Sequence, residues 1–287
     1  MLEVSSLTRA FGDHLAIADI SLQVADGELV TIVGPSGCGK STLLRCVAGL
    51  LPPTTGQVLL NGAAVTRVPD RLAVVFQDYS RSLYPWLSVA ANVELPLRSR
   101  RLNRAVRTRA LPMKKARRQA ALDALDAVGL AGFADRYPWQ LSGGMQQRVA
   151  IARALACDPV LLLMDEPFGA VDAQTREDLE DLVLRVRERR RVTTLLVTHD
   201  IDESVYVGDR VIVLSRGPGR VVAEVPVDLP APRDQITTRE LREFAGLRAE
   251  VGRLVRGKPR PASQPAPQPA AQPAPLPLAY PLEGEAS

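Results

Sequence analysis

Residues 34–41 read GPSGCGKS, directly after the apolar run ELVTIV and directly before a helix-forming stretch, TLLRCVAGLL. Few local patterns restrict a fold more tightly, because a strand, a glycine loop and a helix must follow one another for consecutive backbone N–H groups to turn toward a single point. Here Gly34, Gly37 and Gly39 allow close backbone approach to a β-phosphate, with Pro35, Ser36, Cys38 and Thr42 completing the cradle. Lys40 is expected to reach the β- and γ-phosphates, and the Ser41 hydroxyl to serve as a Mg2+ ligand. This is the P-loop pattern in its required strand-to-helix setting.

Downstream, PVLLLMDEP (159–167) is a near-continuous apolar run, followed by a long helical stretch, TREDLEDLVLRVRERR, and a second apolar run, VTTLLVTHD. Strands of this kind are covered on both faces, and their alternation with helices predicts a mostly parallel α/β sheet. Ligands in such folds collect at the carboxyl ends of the strands. Asp165 and Glu166 fall at one such end, where Asp165 is expected to hold Mg2+ through its water shell and Glu166 to orient and deprotonate an attacking water. The competing reading, a solvated acidic turn, is opposed by Pro167 and the apolar run, which fix where the two carboxylates point.

His199 ends the neighbouring strand and is one of two histidines. A lone histidine is more often structural, but its strand-end position points it at a γ-phosphate. His14, in FGDHL, reads as a surface-turn residue. Gln77, after the buried run RLAVVF, can offer its amide oxygen to Mg2+ or to the water; Phe11 can stack on adenine or belong to the core.

The organisation around these motifs is legible from periodicity. Residues 1–35 read as strands, TTGQVLLNG as another, and DRVIVLSRGPGRVVAEVPV as a hairpin turning at Gly217, Pro218 and Gly219. Residues 88–156 read as helical, broken at Pro96, Pro112 and Pro138, and form an expected helical insertion. Residues 231–257 are expected to close the chain with an amphipathic helix, Leu241, Phe244, Leu247, Val251 and Leu254 sharing its apolar face. From 258 to 287 the Pro, Ala and Gln content predicts a disordered tail.

With 46% hydrophobic residues the chain is of ordinary globular composition, with no run of 18 apolar residues and no signal-peptide layout, so a cytoplasmic protein is expected. Cys38, Cys46 and Cys157 have neither metal-ligand spacing nor a disulfide pattern. Cys38 fits better as a small loop-filling residue than as an oxidation-sensitive thiol. The net charge of +4 arises from residues 98–118, which hold ten basic side chains and no acidic one. That stretch reads either as a solvated helix face or as a contact for anionic headgroups.

A second phosphate-reading element lies at LSGGMQQR (141–148), where Ser142, Gly143 and Gly144 open a helix. Together with the P-loop, Gln77, LLLMDEP, Asp172 in FGAVD and His199, taken in this order, it makes residues 1–230 resemble the ATP-binding subunit of ABC transporters. The resemblance implies an α/β fold, a P-loop NTPase (RecA-like) core with an antiparallel β subdomain and an inserted helical subdomain at about 88–156. It implies ATP and Mg2+ as cofactors, the latter held by Ser41, Gln77 and Asp165, with Glu166, His199 and Gln77 at the catalytic centre. It also implies a head-to-tail homodimer in which Ser142, Gly143, Gly144 and Gln146 meet the ATP of the partner copy, while Asp172 communicates across the dimer.

The stretches VFQDYSRSLYPWLSVAANVELPLR, DEPFGAVDAQTRE and THDIDESVYVGDRVIVLSRGPGRVV are similar to the nitrate, sulfonate and taurine importer branch. That branch implies two integral membrane permease subunits, an indirectly acting solute-binding protein and a peripheral position on the cytoplasmic face of the inner membrane. No nucleic acid is expected. A soluble ABC ATPase acting on nucleic acid or ribosomes is the alternative; the basic stretch favours it, and the single nucleotide domain and lack of heptads oppose it. A small-molecule kinase would have no use for LSGGMQQR.

Overall fold

The computed structural model describes residues 1–78, 82–98 and 113–257 of the chain. The amino-terminal strands β1 (Leu2–Phe11) and β2 (His14–Val24) form an antiparallel sheet with β4 (Thr55–Leu60) and β5 (Ala63–Ala64), in the order β2-β1-β4-β5. A second sheet contains β3 (Leu29–Val33), β6 (Leu72–Val75), β7 (Leu161–Asp165), β8 (Thr193–Thr198), β9 (Arg210–Leu214) and β10 (Val221–Pro226), in the order β10-β9-β3-β8-β7-β6. All its pairings are parallel except β10 with β9, an antiparallel edge built from the expected hairpin.

The continuous apolar runs are explained by two cores, one on each face of this sheet. Successive strand side chains point to opposite faces. Leu29 and Val33 of β3, Leu162 and Met164 of β7, Leu196 of β8, and Val211 and Val213 of β9 therefore join one cluster. Val30, Ile32, Leu161, Leu163, Leu195, Val197, Ile212 and Leu214 join the other. Each such fully buried side chain is stabilising by about 1.5–3 kcal/mol relative to exposure. Polar residues are buried in these strands too, Thr31 and the β8 threonines Thr193, Thr194 and Thr198 among them, and the Thr31 hydroxyl donates to Ser204 O at 3.0 Å.

Helix α1 (Lys40–Val47) packs Leu43, Leu44 and Val47 into the second cluster, against Leu2, Val4, Ile17 and Ile20 of the antiparallel sheet. The first cluster is covered by α2 (Val89–Glu94), α3 (Met113–Ala127), α4 (Gly143–Leu155), α5 (Ala173–Arg190), α6 (Ile201–Val207) and α7 (Arg242–Val255). Ser88 caps α2 by accepting from Ala91 N. Fully buried Asn92 ties the preceding loop to it, donating to the carbonyls of Tyr84, Leu87 and Ser88 and accepting from Tyr84 N.

The closing helix is shorter than the expected 231–257. It begins at Arg242: Asp234 opens a separate turn by accepting from the backbone of Ile236 and Thr237, and Leu241 N donates back to Thr238 O in a three-residue turn, so this stretch does not run on into the helix. Its apolar face is as expected: Phe244 and Val251 are buried, and Leu241, Leu247 and Leu254 pack beside them. At the end of the basic stretch Arg118 pairs with Glu94 and Asp135, while residues 99–112, with Pro112, and the tail 258–287 lie outside the described residues.

Candidate active site

Register decides what meets at the carboxyl edge. Val33 pairs with Thr198, Asp165 with Val197, and Val75 with Met164, so β3, β8, β7 and β6 end at nearly one level. The loops that leave these ends carry the residues singled out by their sequence pattern.

After β3 the chain enters the glycine loop. Gly39 has φ +93, and a Cβ there would lie 2.4 Å from Ile17 Cγ2 and 2.7 Å from Ala16 O, so only glycine fits both the dihedral and the space. Lys40, buried at 6% exposure, donates from Nζ to Gly34 O at 2.8 Å and Pro35 O at 3.2 Å, which holds the ammonium within the loop. Cys38 is buried at 1% exposure, and that burial raises its thiol above its ordinary range despite the nearby Lys40 charge. Cys46 and Cys157 are likewise pushed up to about 11 by burial, and all three are free thiols.

Ser41 Oγ donates to Asp165 Oδ1 at 2.9 Å. Desolvation raises the Asp165 carboxyl above its ordinary value; the Ser41 hydrogen bond opposes this, and the Glu166 charge adds to it. Glu166 follows with φ +46, a left-handed conformation uncommon for a side-chain-bearing residue, while its N–H donates to Val197 O at 2.8 Å. Its Oε2 accepts from Gln77 Nε2 at 3.0 Å and lies 3.2 Å from His199 Nδ1. Three strand ends, those of β6, β7 and β8, thus converge on one carboxylate oxygen.

Phe11 is out of the core, 46% exposed, with the Arg9 guanidinium 4.6 Å from its ring centroid. It sits opposite His14 at the end of the β1–β2 pairing, on the same hairpin as the Ala16 and Ile17 that touch the loop. Gly219 approaches the loop from the other hairpin: a Cβ there would lie 2.1 Å from Cys38 O, a role that the GPG turn signalled only as a turn.

The second glycine element is a capped helix end. Ser142 accepts from Met145 N at 3.3 Å, leaving Gly143 and Gly144 in the first turn, where N–H groups have no intrahelical acceptor. Gln146 turns back, donating to Pro138 O at 3.0 Å and Leu141 O at 3.3 Å, and so braces the turn before the helix. Asp172 caps α5 by accepting from Thr175 N at 3.0 Å and Thr175 Oγ1 at 2.7 Å; these bonds, the hydroxyl's foremost, lower its carboxyl below the ordinary value. Two further residues escaped the motif reading. Thr175 packs against Gly144, and Gln147 reaches Pro167; neither contact has a sequence-local signal.

A cavity of about 950 Å3 lies elsewhere, between Asp26, α5 and the segment reaching Arg233. A phosphate cradle is an open loop rather than an apolar hollow, so volume does not locate it.

A family model described as ABC transporter matches residues 17–169. An aliphatic sulfonates import ATP-binding protein of Burkholderia cenocepacia is 48% identical over 235 residues, covering 82% of this chain and 81% of that protein. A nitrate import ATP-binding protein of Synechococcus elongatus is 43% identical over 242 residues, covering 84% of this chain and 35% of that longer protein. Among solved structures, the dimeric structure of a bacterial ABC transporter cassette superposes with a TM-score of 0.67 at 36% identity, over 79% of this chain and 99% of that one.

Proposed function

The chain belongs to the ABC transporter family and is an ABC-type ATPase, and on that premise we propose that it energises import of a small oxyanion, a sulfonate, taurine or nitrate, through two integral membrane permease subunits. The convergence of Gln77, Glu166 and His199 beside the Lys40 loop carries the catalytic half of this reading. The importer names of the sulfonate and nitrate relatives support the transport half. A solute-binding protein delivers the solute to the permeases and acts on this subunit only through them. The subunit works peripherally, on the cytoplasmic face of the inner membrane; no helix among the described residues is long and apolar enough to cross it.

In this reading ATP enters over the glycine loop, with Phe11 beside the adenine, and its phosphates take the place of the Gly34 and Pro35 carbonyls as partners of Lys40. The donor set fits Mg2+: a hydroxyl and a carboxylate 2.9 Å apart are hard oxygen ligands that leave positions for water and phosphate. Ser41 and Asp165 would hold the ion, with Gln77 at its edge, and when bound it neutralises charge on the phosphate oxygens. Glu166 takes a proton from the attacking water, and His199, adjacent to the same carboxylate, faces the γ-phosphate.

Two copies arranged head to tail would place the α4 N-terminus of one, with Ser142, Gly143, Gly144 and the bracing Gln146, over the γ-phosphate of the other. The positive end of a helix attracts an anion, so dimerisation depends on the γ-phosphate and is released by hydrolysis. Asp172 then lies near the seam.

Glu166→Gln tests the catalytic assignment. It is expected to bind ATP, lose turnover by about 10²-fold or more and accumulate as an ATP-bound dimer in size-exclusion chromatography. Near-parental turnover would show that Glu166 is not the base. Ser142→Arg is expected to keep ATP binding to the monomer and lose the ATP-dependent dimer; a variant that still dimerises refutes the seam. Sulfonate, taurine and nitrate uptake by the assembled transporter separates the solutes, and failure of all three removes the branch assignment while leaving the ATPase intact.

A further inference from the structure

Gln147 is fully buried in α4, and the polarity of its side chain is out of keeping with the apolar residues around it. Its Nε2 donates to Pro167 O at 2.6 Å, while its Oε1 is buried with no hydrogen-bond partner among the described residues. Leaving an amide oxygen unpaired costs free energy that a methionine of similar length would not incur. Turning the amide over would set two oxygens face to face, so the N–H on Pro167 is what the side chain contributes at this position.

Pro167 follows Glu166 directly. The turn that carries the carboxylate is held on one side by Glu166 N on Val197 O, is closed by Gly169 N on Glu166 O, and is gripped from α4 by Gln147. The same helix also touches the far end of this segment. Gly144 meets Thr175, whose hydroxyl donates to Asp172. Helix α4 therefore bears on both ends of 166–172, and its own N-terminus is the end assigned above to the partner's γ-phosphate.

We propose that Gln147 is a positioning residue that couples the two nucleotide sites: seating of α4 on the partner's phosphate sets, through Pro167, the orientation of Glu166 over the chain's own ATP. The inference rests on the assignment of Glu166 as base and of the α4 N-terminus as phosphate reader. A shift of about 1 Å at a reacting group is enough to cost about 10²-fold in rate, so one hydrogen bond that locks a left-handed turn is an adequate lever.

The test compares Gln147→Met with Gln147→Glu in the full chain, measuring steady-state kcat, KM and the ATP Kd of the monomer on the same samples. Gln147→Met is expected to lower kcat by about tenfold or more at every pH, with ATP Kd within about twofold of the parent. A glutamic acid at this site has its carboxyl raised by burial, so it donates to Pro167 O while protonated and repels that oxygen once ionised. Gln147→Glu is therefore expected to match the parent at about pH 6 and approach Gln147→Met by about pH 9, a pH profile that simple loss of packing would not produce. Parental kcat in Gln147→Met, or a parental pH profile in Gln147→Glu, overturns the coupling; if Gln147→Met does not fold, the profile of Gln147→Glu decides. Glu166→Gln separates the failures: if it is inert while Gln147→Met is normal, only the coupling falls, and if it turns over normally, the base assignment and the coupling fall together.

Discussion

The tightest contact around the second glycine element gives the sharpest stability test. A Cβ built on Gly144 lies 2.2 Å from Thr175 Cγ2, where ordinary carbon contacts are about 3.5–4.0 Å, so Gly144→Ala requires a displacement of about 1.5 Å. The threonine cannot simply rotate away, because its hydroxyl is committed to Asp172 Oδ2 at 2.7 Å. Overpacking of this kind costs about 1–3 kcal/mol, offset by about 1 kcal/mol from replacing a helical glycine with alanine, for a net loss of about 0–2 kcal/mol. Thr175→Ser removes the offending methyl and keeps the hydroxyl; alone it should cost about 1 kcal/mol. Combined with Gly144→Ala it should recover the helix gain without the clash, a coupling of about 1–3 kcal/mol in favour of the double variant. Urea unfolding midpoints at constant m-value measure all four corners of the cycle. A coupling below about 0.5 kcal/mol would mean that the two elements relax apart and that α4 does not bear on the Asp172 turn.

Lys40→Ala should lose ATP binding or hydrolysis, since the loop would present no cation to the γ-phosphate; unchanged steady-state ATPase activity would sink the assignment. Glu203, buried one turn past His199, has a carboxyl raised well above its ordinary 4.5, foremost by desolvation and then by Glu180 and Asp200, against a Thr198 hydrogen bond and the Arg176 charge. The fold thus favours its protonated form, a contribution fully present below the unfolded value and lost as pH rises through the folded one. Glu203→Gln should therefore melt higher than the parent at about pH 8–9, with the gap closing toward about pH 5; a constant gap in thermal unfolding would contradict this. Arg239 donates to Glu180, itself 1% exposed, at 2.8 Å and stacks 5.0 Å from the Tyr206 ring centroid. Arg239→Met should destabilise by about 3 kcal/mol by leaving the buried carboxylate without its cation, and an unchanged denaturant midpoint would show that Gln235 suffices.

Much of the site is legible in the amino-acid sequence because its parts are local. A phosphate cradle draws its N–H groups from consecutive residues, so GPSGCGKS specified the loop, the left-handed glycines and the helix start together. The apolar runs ending in Asp165 and His199 likewise announced strands buried on both faces, and Ser142 was readable at the opening of a helix, whereas the capping of α5 by Asp172 was not. The sequence by itself determined these backbone conformations and the chemistry each motif brings. Only the tertiary structure decided which motifs meet. Gln77 and Glu166, 89 residues apart, share an oxygen because β6 and β7 end level. Phe11 is exposed rather than core because its hairpin ends outside both clusters. The closing helix starts only at Arg242, after a separate turn opened by Asp234. The grip of Gln147 on Pro167 had no local signature at all, since a glutamine in a helical run looks the same whether its amide faces water or the carbonyl beside a catalytic carboxylate. Strand order, register and helix seating are collective outcomes of burying two apolar faces at once, and the side-chain pairs that tie the site together are set there.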